Sequence, residues 1–274
     1  MKHLMTGACI LVLVALTSCG GDDAAKPEEF GTQEEALTAL NANKSNMLLA
    51  LDAAEGAIDA ASGFGLDKRS AYNSKKLNRA MTYTYDASTG WWTDEYTNSS
   101  GGYNYDYTWN IRFTPRDANG YSTDETSKME YKYDYLYNGA NTYYSYDMDL
   151  GADMTLTGVN AYRAATGNLV LNGTNAISYV WDYSYLTYDY TYDYSHKYTY
   201  KSLEISPDGD YPEGGSVSFT IRSKFEGEIG EEGGDALNYY VAGKITFDGD
   251  NTALLEFGGF SFILNLDTNE VTPA

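Results

Sequence analysis

Apolar and polar residues alternate with a period of two over most of the chain after Met81. In residues 103–113 the large side chains occupy odd positions, while Asn, Asp, Thr and Arg occupy even ones. This alternation is typical of a β-strand that buries one face, and residues 129–137 and 144–156 repeat it. Stretches rich in Gly, Asn and Asp separate the runs, for example DGDN at 248–251, and predict tight connections between strands.

Strands that follow one another through short turns form an antiparallel meander. We expect about ten to twelve strands, and because large twisted sheets rarely stay flat, we expect this sheet to curve. The predicted fold class is therefore mainly β: a curved antiparallel meander sheet that forms a barrel or half-barrel, with one N-terminal amphipathic helix packed on it.

The helix is predicted from the segment that precedes the strands. Residues 32–35, Thr-Gln-Glu-Glu, have the Thr-x-x-Glu form of a capping box. Apolar residues continue at helical spacing from Leu37 to Ala61, and Gly63 can end the helix. We predict a helix over about residues 32–61, with a break near Asn41–Asn46 as an alternative and a sheet face as its packing surface.

The aromatic residues of 179–200 change phase once. They occupy odd positions up to Tyr185 and even positions from Tyr188 onward. One strand over this range would be about 70 Å long, far beyond the usual length. We therefore predict an interruption by a hairpin tip or bulge, with the tip within Asp189–Ser195.

Tyrosine dominates the middle of the chain, whereas aliphatic residues and Phe dominate its end. Residues 83–200 hold 24 of the 28 tyrosines, and residues 217–266 use Val, Ile, Leu and Phe instead. Because a buried hydroxyl needs a hydrogen-bond partner, we expect the C-terminal strands and the helix to form the dry core. The Tyr-rich strands should present a face that is apolar but wet at the ring edges.

Three roles suit such a face. Tyrosine pairs well across strands and suits exposed sheet surface without any ligand. Rings beside Asp, Thr and Asn can also bind a sugar polymer or an amphiphile, and Tyr and Trp are enriched where proteins dock. The candidate ligand contacts are Trp181, Tyr183, Tyr185, Tyr188 and Tyr190.

The first nineteen residues, MKHLMTGACILVLVALTSC, have the organisation of an export signal. A basic start precedes nine apolar residues, Ala8–Leu16, which are too few to span a bilayer. Residues 16–19, Leu-Thr-Ser-Cys, resemble the lipobox of bacterial lipoproteins. The resemblance implies that the Cys19 thiol receives a diacylglyceryl group and that the chain is cut between Ser18 and Cys19. An ordinary secretory signal with a chance Cys is the alternative.

The residues after Cys19 bear on location. In the lipoproteins that this segment resembles, Asp directly after the lipidated Cys favours retention in the inner membrane. This chain has Gly20 at that position, so the resemblance implies the outer membrane, on its periplasmic side or at the cell surface. Asp22 and Asp23 resemble a surface-export signal of some lipoproteins.

The chain divides into four predicted parts: a signal peptide (1–18), a lipidated flexible tether (19–31), a helix and basic connection (32–79) and an antiparallel β domain (80–274). The basic stretch 66–79 is interpreted as a solvated connection.

Charge and functional side chains narrow the function further. Removal of residues 1–18 takes away Lys2 and leaves 17 basic and 39 acidic residues, a net charge of −22 that repels nucleic acids. His196 is then the only histidine, so a structural role is favoured for it, and zinc ligands are too few. Neither Asp-rich loop, at 207–215 or 248–251, completes an EF-hand pattern.

The sequence thus predicts no catalytic residue, metal or cofactor. The favoured function is a membrane-anchored envelope lipoprotein with a non-enzymatic binding or structural role. Its predicted partners are the membrane, through Cys19, and a glycan, an amphiphile or another envelope protein, with no nucleic acid. A lipid or lipoprotein carrier with a half-barrel is one alternative. A glycoside hydrolase is the other, since a pair of carboxylates is enough for that chemistry.

Overall fold

A computed structural model describes residues 26–63, 83–185, 188–228 and 238–274. The predicted lipobox and the basic stretch 66–79 lie outside the described residues. The chain forms two helices and twelve strands in this part. In chain order they are α1 (Gln33–Gly63), β1 (Thr84–Asp86), β2 (Trp91–Ser100), β3 (Tyr103–Thr114), β4 (Lys128–Ala140), β5 (Tyr144–Thr157), α2 (Val159–Arg163), β6 (Leu169–Tyr185), β7 (Tyr188–Ile205), β8 (Pro212–Glu228), β9 (Tyr239–Phe247), β10 (Thr252–Phe257), β11 (Phe260–Asn265) and β12 (Val271–Pro273).

The strands form one antiparallel sheet in which each strand pairs with its neighbours in sequence, from β1 to β12. This confirms the predicted meander. Within the described part of the chain β1 and β12 do not pair with each other, so the sheet is open. The sequence predicted either a barrel or a half-barrel. Among the described residues the sheet does not close into a barrel. Helix α1 lies across one face of the sheet, as predicted.

The capping box at the start of α1 is formed. The Glu35 backbone N–H donates to Thr32 Oγ1 (3.2 Å), and the Thr32 N–H donates to a Glu35 carboxylate oxygen (3.2 Å). The helix continues without interruption to Gly63, so the alternative of a break near Asn41–Asn46 is wrong. The physical reason is visible at Asn43, whose buried side-chain amide donates to the Ala39 carbonyl (3.0 Å) and needs no partner outside the helix.

Two buried tyrosines attach α1 to the sheet. Tyr198 and Tyr200 on β7 donate hydrogen bonds to the carbonyls of Asn46 and Ala50, the latter at 2.7 Å. At the other end, the Gln33 side chain donates to the Ser261 carbonyl on β11 (3.2 Å). The helix therefore crosses the strands from β11 to β7. Its sheet-facing side is buried and consists largely of small side chains, at Ala36, Ala39, Leu40, Asn43, Met47, Ala50 and Ala54.

The residues just before α1 are also attached to the sheet. The Glu28 N–H donates to the Tyr240 carbonyl on β9 (2.7 Å), and the Phe30 ring stacks on Phe257 at 5.6 Å. These contacts attach residues 28 and 30, at the end of the segment predicted as a flexible tether (19–31), to the sheet. Burial of the Phe30 ring against the end of β10 stabilises this short segment.

The strand register places every tyrosine of β3–β7 on the same face of the sheet, the face that carries α1. One row across this face runs through Trp109, Tyr133, Ala152, Asn175, Tyr198, Phe219, Gly243 and Phe257. The opposite face carries mostly Asp, Glu, Lys, Thr, Ser and Asn. We call the first the inner face and the second the polar face.

The dry core follows the prediction in part. Aliphatic residues and Phe of β8–β11 are buried under α1, as expected from residues 217–266. The buried apolar core also extends to α2, at the ends of the Tyr-rich strands away from the β4–β5 and β6–β7 connections. This region includes Ile111, Phe113, Met129, Leu156 and Leu171. The prediction missed that region because its apolar residues stand one or two at a time at the ends of tyrosine runs.

The predicted position of the β6–β7 tip is wrong. Residues 189–195 pair with β6 on one side and β8 on the other, so they lie inside a strand. Tyr185 pairs with Tyr188, which leaves two residues, 186 and 187, for the connection. A two-residue connection explains why the aromatic positions change from odd to even there. Later in β7 the register with β8 shifts between Lys201 and Glu204, which is typical of a β-bulge.

Candidate functional site: an aromatic rim

Exposed aromatic side chains are concentrated at the connections β4–β5 and β6–β7. Tyr143 is 50% exposed, Tyr185 and Tyr188 are each 43% exposed, and Trp181 is 38% exposed. We call the group formed by Tyr143, Trp181, Tyr183, Tyr185, Tyr188 and Tyr190 the aromatic rim. It includes all five candidate ligand contacts predicted from the sequence.

The register of β6 and β7 brings the rim together. Tyr183 pairs with Tyr190 and Tyr185 pairs with Tyr188, all with side chains on the inner face. The Tyr183 and Tyr190 rings stack at 5.2 Å, and Trp181 meets the edge of Tyr190 at 6.2 Å. Offset and edge contacts at these distances are favourable, so the rings stabilise one another.

Tyr143 joins the rim although the sequence pattern did not mark it. Its ring contacts Tyr185 edge-on at 4.9 Å, and its carbonyl accepts a hydrogen bond from the Ser184 N–H (2.8 Å). Tyr143 lies in the turn before β5, outside any alternating run. The one available signal was the adjacent pair Tyr143–Tyr144, which breaks the period of two.

Below the rim, the half-buried tyrosines form a continuous series of ring contacts across the sheet. Tyr103 stacks on Tyr137 (6.0 Å), Tyr137 meets Tyr146 (5.7 Å), and Tyr146 stacks on Tyr179 (6.0 Å). Burial raises the pKa of the Tyr146 and Tyr179 hydroxyls. These hydroxyls are therefore neutral at any physiological pH and act as hydrogen-bond groups.

Several of these hydroxyls have partners inside the sheet. The Tyr103 and Tyr144 hydroxyls bond to each other (2.7 Å), and Tyr146 donates to the Met148 sulfur (3.3 Å). Such partners are what a buried hydroxyl requires. Cross-strand packing is therefore a sufficient explanation for the tyrosines below the rim.

His196 lies on the inner face of β7, stacked on the Tyr198 ring at 4.6 Å. Its Nδ1 is 3.3 Å from the Tyr194 hydroxyl. Burial lowers the pKa of His196 to about 4. These surroundings agree with the structural role favoured from the sequence.

The carboxylates lie mainly on the polar face. Asp94 is the one buried carboxylate among the described side chains, and it accepts a hydrogen bond from Tyr107. In the same part of the chain no three His, Cys, Asp or Glu side chains come together as metal ligands. In the 248–251 loop, Asp250 accepts two hydrogen bonds from Thr252, which lower the Asp250 pKa and are typical of a turn.

The polar face has a shallow cleft beside β2 that the sequence did not indicate. Arg112 lies over the Trp91 ring at 4.6 Å and forms two contacts with Glu130, at 2.7 and 2.9 Å. The other lining residues are Asp86, Thr89, Thr93, Asn110 and Lys132. Arg112 is held by the Trp91 ring and the Glu130 carboxylate. These contacts within the sheet are a sufficient explanation for the presence of its side chain in the cleft.

Helices α1 and α2, as far as the described residues extend, contain no stretch long and apolar enough to cross a membrane. Comparison with protein-family models, with curated proteins and with solved structures gave no match to this chain.

Proposed function

We propose that this protein is a lipoprotein of the bacterial cell envelope that acts by non-enzymatic contact through its aromatic rim. Cys19 carries the lipid, and the acidic β-sheet body is held beside the outer membrane, on the periplasmic side or at the cell surface. The lipobox-like residues 16–19 support the anchor, and a net charge of −22 after removal of residues 1–18 argues against nucleic acid as the partner.

The observation that carries the contact function is the exposure of the rim. Trp181, Tyr185 and Tyr188 are more than a third exposed, although they point to the same face as the buried Tyr194, Tyr198 and Tyr200 of β7. Packing within the sheet explains the buried rings but not the clustering of exposed ones. Clustered Tyr and Trp side chains are typical of binding surfaces, because they combine a large apolar area with a polar edge.

Photo-cross-linking in the native envelope tests this proposal. We expect p-benzoylphenylalanine in place of Tyr188 to form cross-links with an envelope component. The same group in place of Leu254, which is 41% exposed on the polar face, serves as the control and should form few. Equal cross-linking at the two positions would mean that the rim is ordinary surface.

A further inference from the structure

The aromatic rim and the N-terminal segment lie toward the same end of the sheet. The connections β2–β3, β4–β5, β6–β7 and β8–β9 are at that end. Glu28 lies beside Tyr240, and Phe30 lies farther from that end, beside Phe257. The chain, followed backward from Phe30 toward Lys26, therefore runs in the direction of the rim.

The distance between Glu28 and the rim can be derived from the register. Ser195 on β7, Arg222 on β8 and Tyr240 on β9 are at one level. Tyr188 is seven positions beyond Ser195, or about 23 Å along the strand, and Glu28 is about three strand spacings, or roughly 14 Å, to the side. The straight distance is therefore about 27 Å.

The chain between Cys19 and Glu28 is just long enough to cover that distance. It contains nine residue steps, which span at most about 30–32 Å when fully extended. A lipid on Cys19 thus holds the bilayer within reach of the rim, and the short tether prevents the rim from moving far away while this end of the sheet faces the membrane.

The composition of the rim suits the bilayer interface. Tyr and Trp are enriched at the level of the lipid headgroups, because their rings are apolar and their polar groups remain hydrated. On the polar face behind the rim, Asp182 and Asp189 are exposed, and Glu226 is exposed but paired with Lys224 (2.6 Å). The net negative charge of these four side chains disfavours an anionic lipid surface and permits a zwitterionic one.

We propose that the aromatic rim inserts into the headgroup region of the zwitterionic bilayer that holds Cys19, as a second attachment of the protein. This inference depends on the proposed lipid anchor, and it names the partner of the same rim. Lipid and rim together fix the orientation of the sheet, with the β6–β7 connection toward the membrane and the connection between β7 and β8 away from it.

Vesicle binding without the lipid isolates the contribution of the rim. The probe is phosphatidylcholine vesicles, and the protein is the mature chain from residue 19 with Cys19→Ser. We expect measurable partitioning that falls about tenfold or more in the triple variant Trp181→Ser, Tyr185→Ser, Tyr188→Ser. The control variant Leu136→Ser with Leu254→Ser, which changes exposed apolar residues of the polar face, should bind like the parent chain. Addition of phosphatidylglycerol should weaken binding at low salt.

Two results would overturn the inference: no binding of the parent chain to the vesicles, or equal binding by the triple variant. A parent chain that is retained on envelope polysaccharide instead, and loses that retention with Tyr183→Ala and Tyr190→Ala, would assign the rim to a glycan. In that case the proposed contact function stands and the membrane contact does not.

The lipidated protein provides a second readout with a conservative substitution. In vesicles of brominated phosphatidylcholine, part of the Trp fluorescence should be quenched, and Trp181→Phe should remove most of that quenching. Trp91→Phe, on the polar face of β2, should leave it unchanged. Quenching that persists in Trp181→Phe would contradict rim insertion. Failure of the lipid anchor itself would be recognised separately, from the mass of the protein.

Discussion

Tyrosine has two uses in this sheet, and the surroundings of each ring distinguish them. The rings of Tyr198 and Tyr200 are buried, and their hydroxyls bond to the α1 backbone. The rings of Tyr185 and Tyr188 are on the same face, nearer the β6–β7 connection, and are exposed. At the residue scale, position along the strand therefore decides whether a tyrosine stabilises the fold or is available for contact.

The titration of His196 tests the inner face at this scale. Burial lowers its pKa from 6.5 to about 4 in the folded protein, so the fold favours the neutral ring. As the pH falls from about 6.5 toward 4, the unfolded chain binds a proton that the folded chain does not, and the free energy of unfolding decreases. Above pH 6.5 His196 causes no such loss of stability.

Because His196 is the only histidine after residue 18, NMR can follow its imidazole signal without ambiguity in the mature chain. We expect a midpoint near pH 4. In urea unfolding, the loss of stability between pH 7 and pH 5 should be smaller in His196→Phe than in the parent protein. A midpoint near 6.5 would show that the ring is solvated and that the packing of β7 against its neighbours is different.

At the scale of elements, local signals predicted the structure best. The capping box at Thr32 and Glu35 involves neighbouring residues, so the sequence located the helix start within one residue. The β6–β7 tip was misplaced because its two-residue connection, Leu186-Thr187, contains no Gly, Asn or Asp to indicate a turn. The attachment of Glu28 to Tyr240 joins residues more than 200 positions apart, and no local pattern could predict it.

The attachment of α1 to β7 can be measured with Tyr200→Phe. This change removes the hydrogen bond from the buried hydroxyl to the Ala50 carbonyl (2.7 Å) and leaves the ring in place. We expect the free energy of unfolding to fall by about 1 kcal/mol, since that is the usual net value of one such bond. Tyr137→Phe is the matched control, because its half-exposed ring stays packed between Tyr103 and Tyr146. An equal decrease in the free energy of unfolding for both variants would contradict the attachment of α1 by the Tyr200 hydroxyl.

At the scale of the whole molecule, the pairing of the twelve strands in sequence order determines the site. It collects tyrosines from β3–β7 on one face and leaves the rim at one end. From the sequence we predicted the alternation and named the five rim residues of β6 and β7 as candidate contacts. Both follow from the spacing of aromatic residues along the chain. It could not predict that the helix covers one part of that face and leaves another exposed, since this depends on contacts between distant elements.

In the proposed function, a lipid at Cys19 determines where the body is held and which end of the sheet faces the membrane. The most direct measurement is the intact mass of the protein extracted from the native envelope. We predict a chain that begins at Cys19 and carries the mass of its acyl groups, present in the membrane fraction and strongly depleted from that fraction in Cys19→Ser. A full-length, uncleaved and unmodified chain in the soluble cytosol would contradict the account.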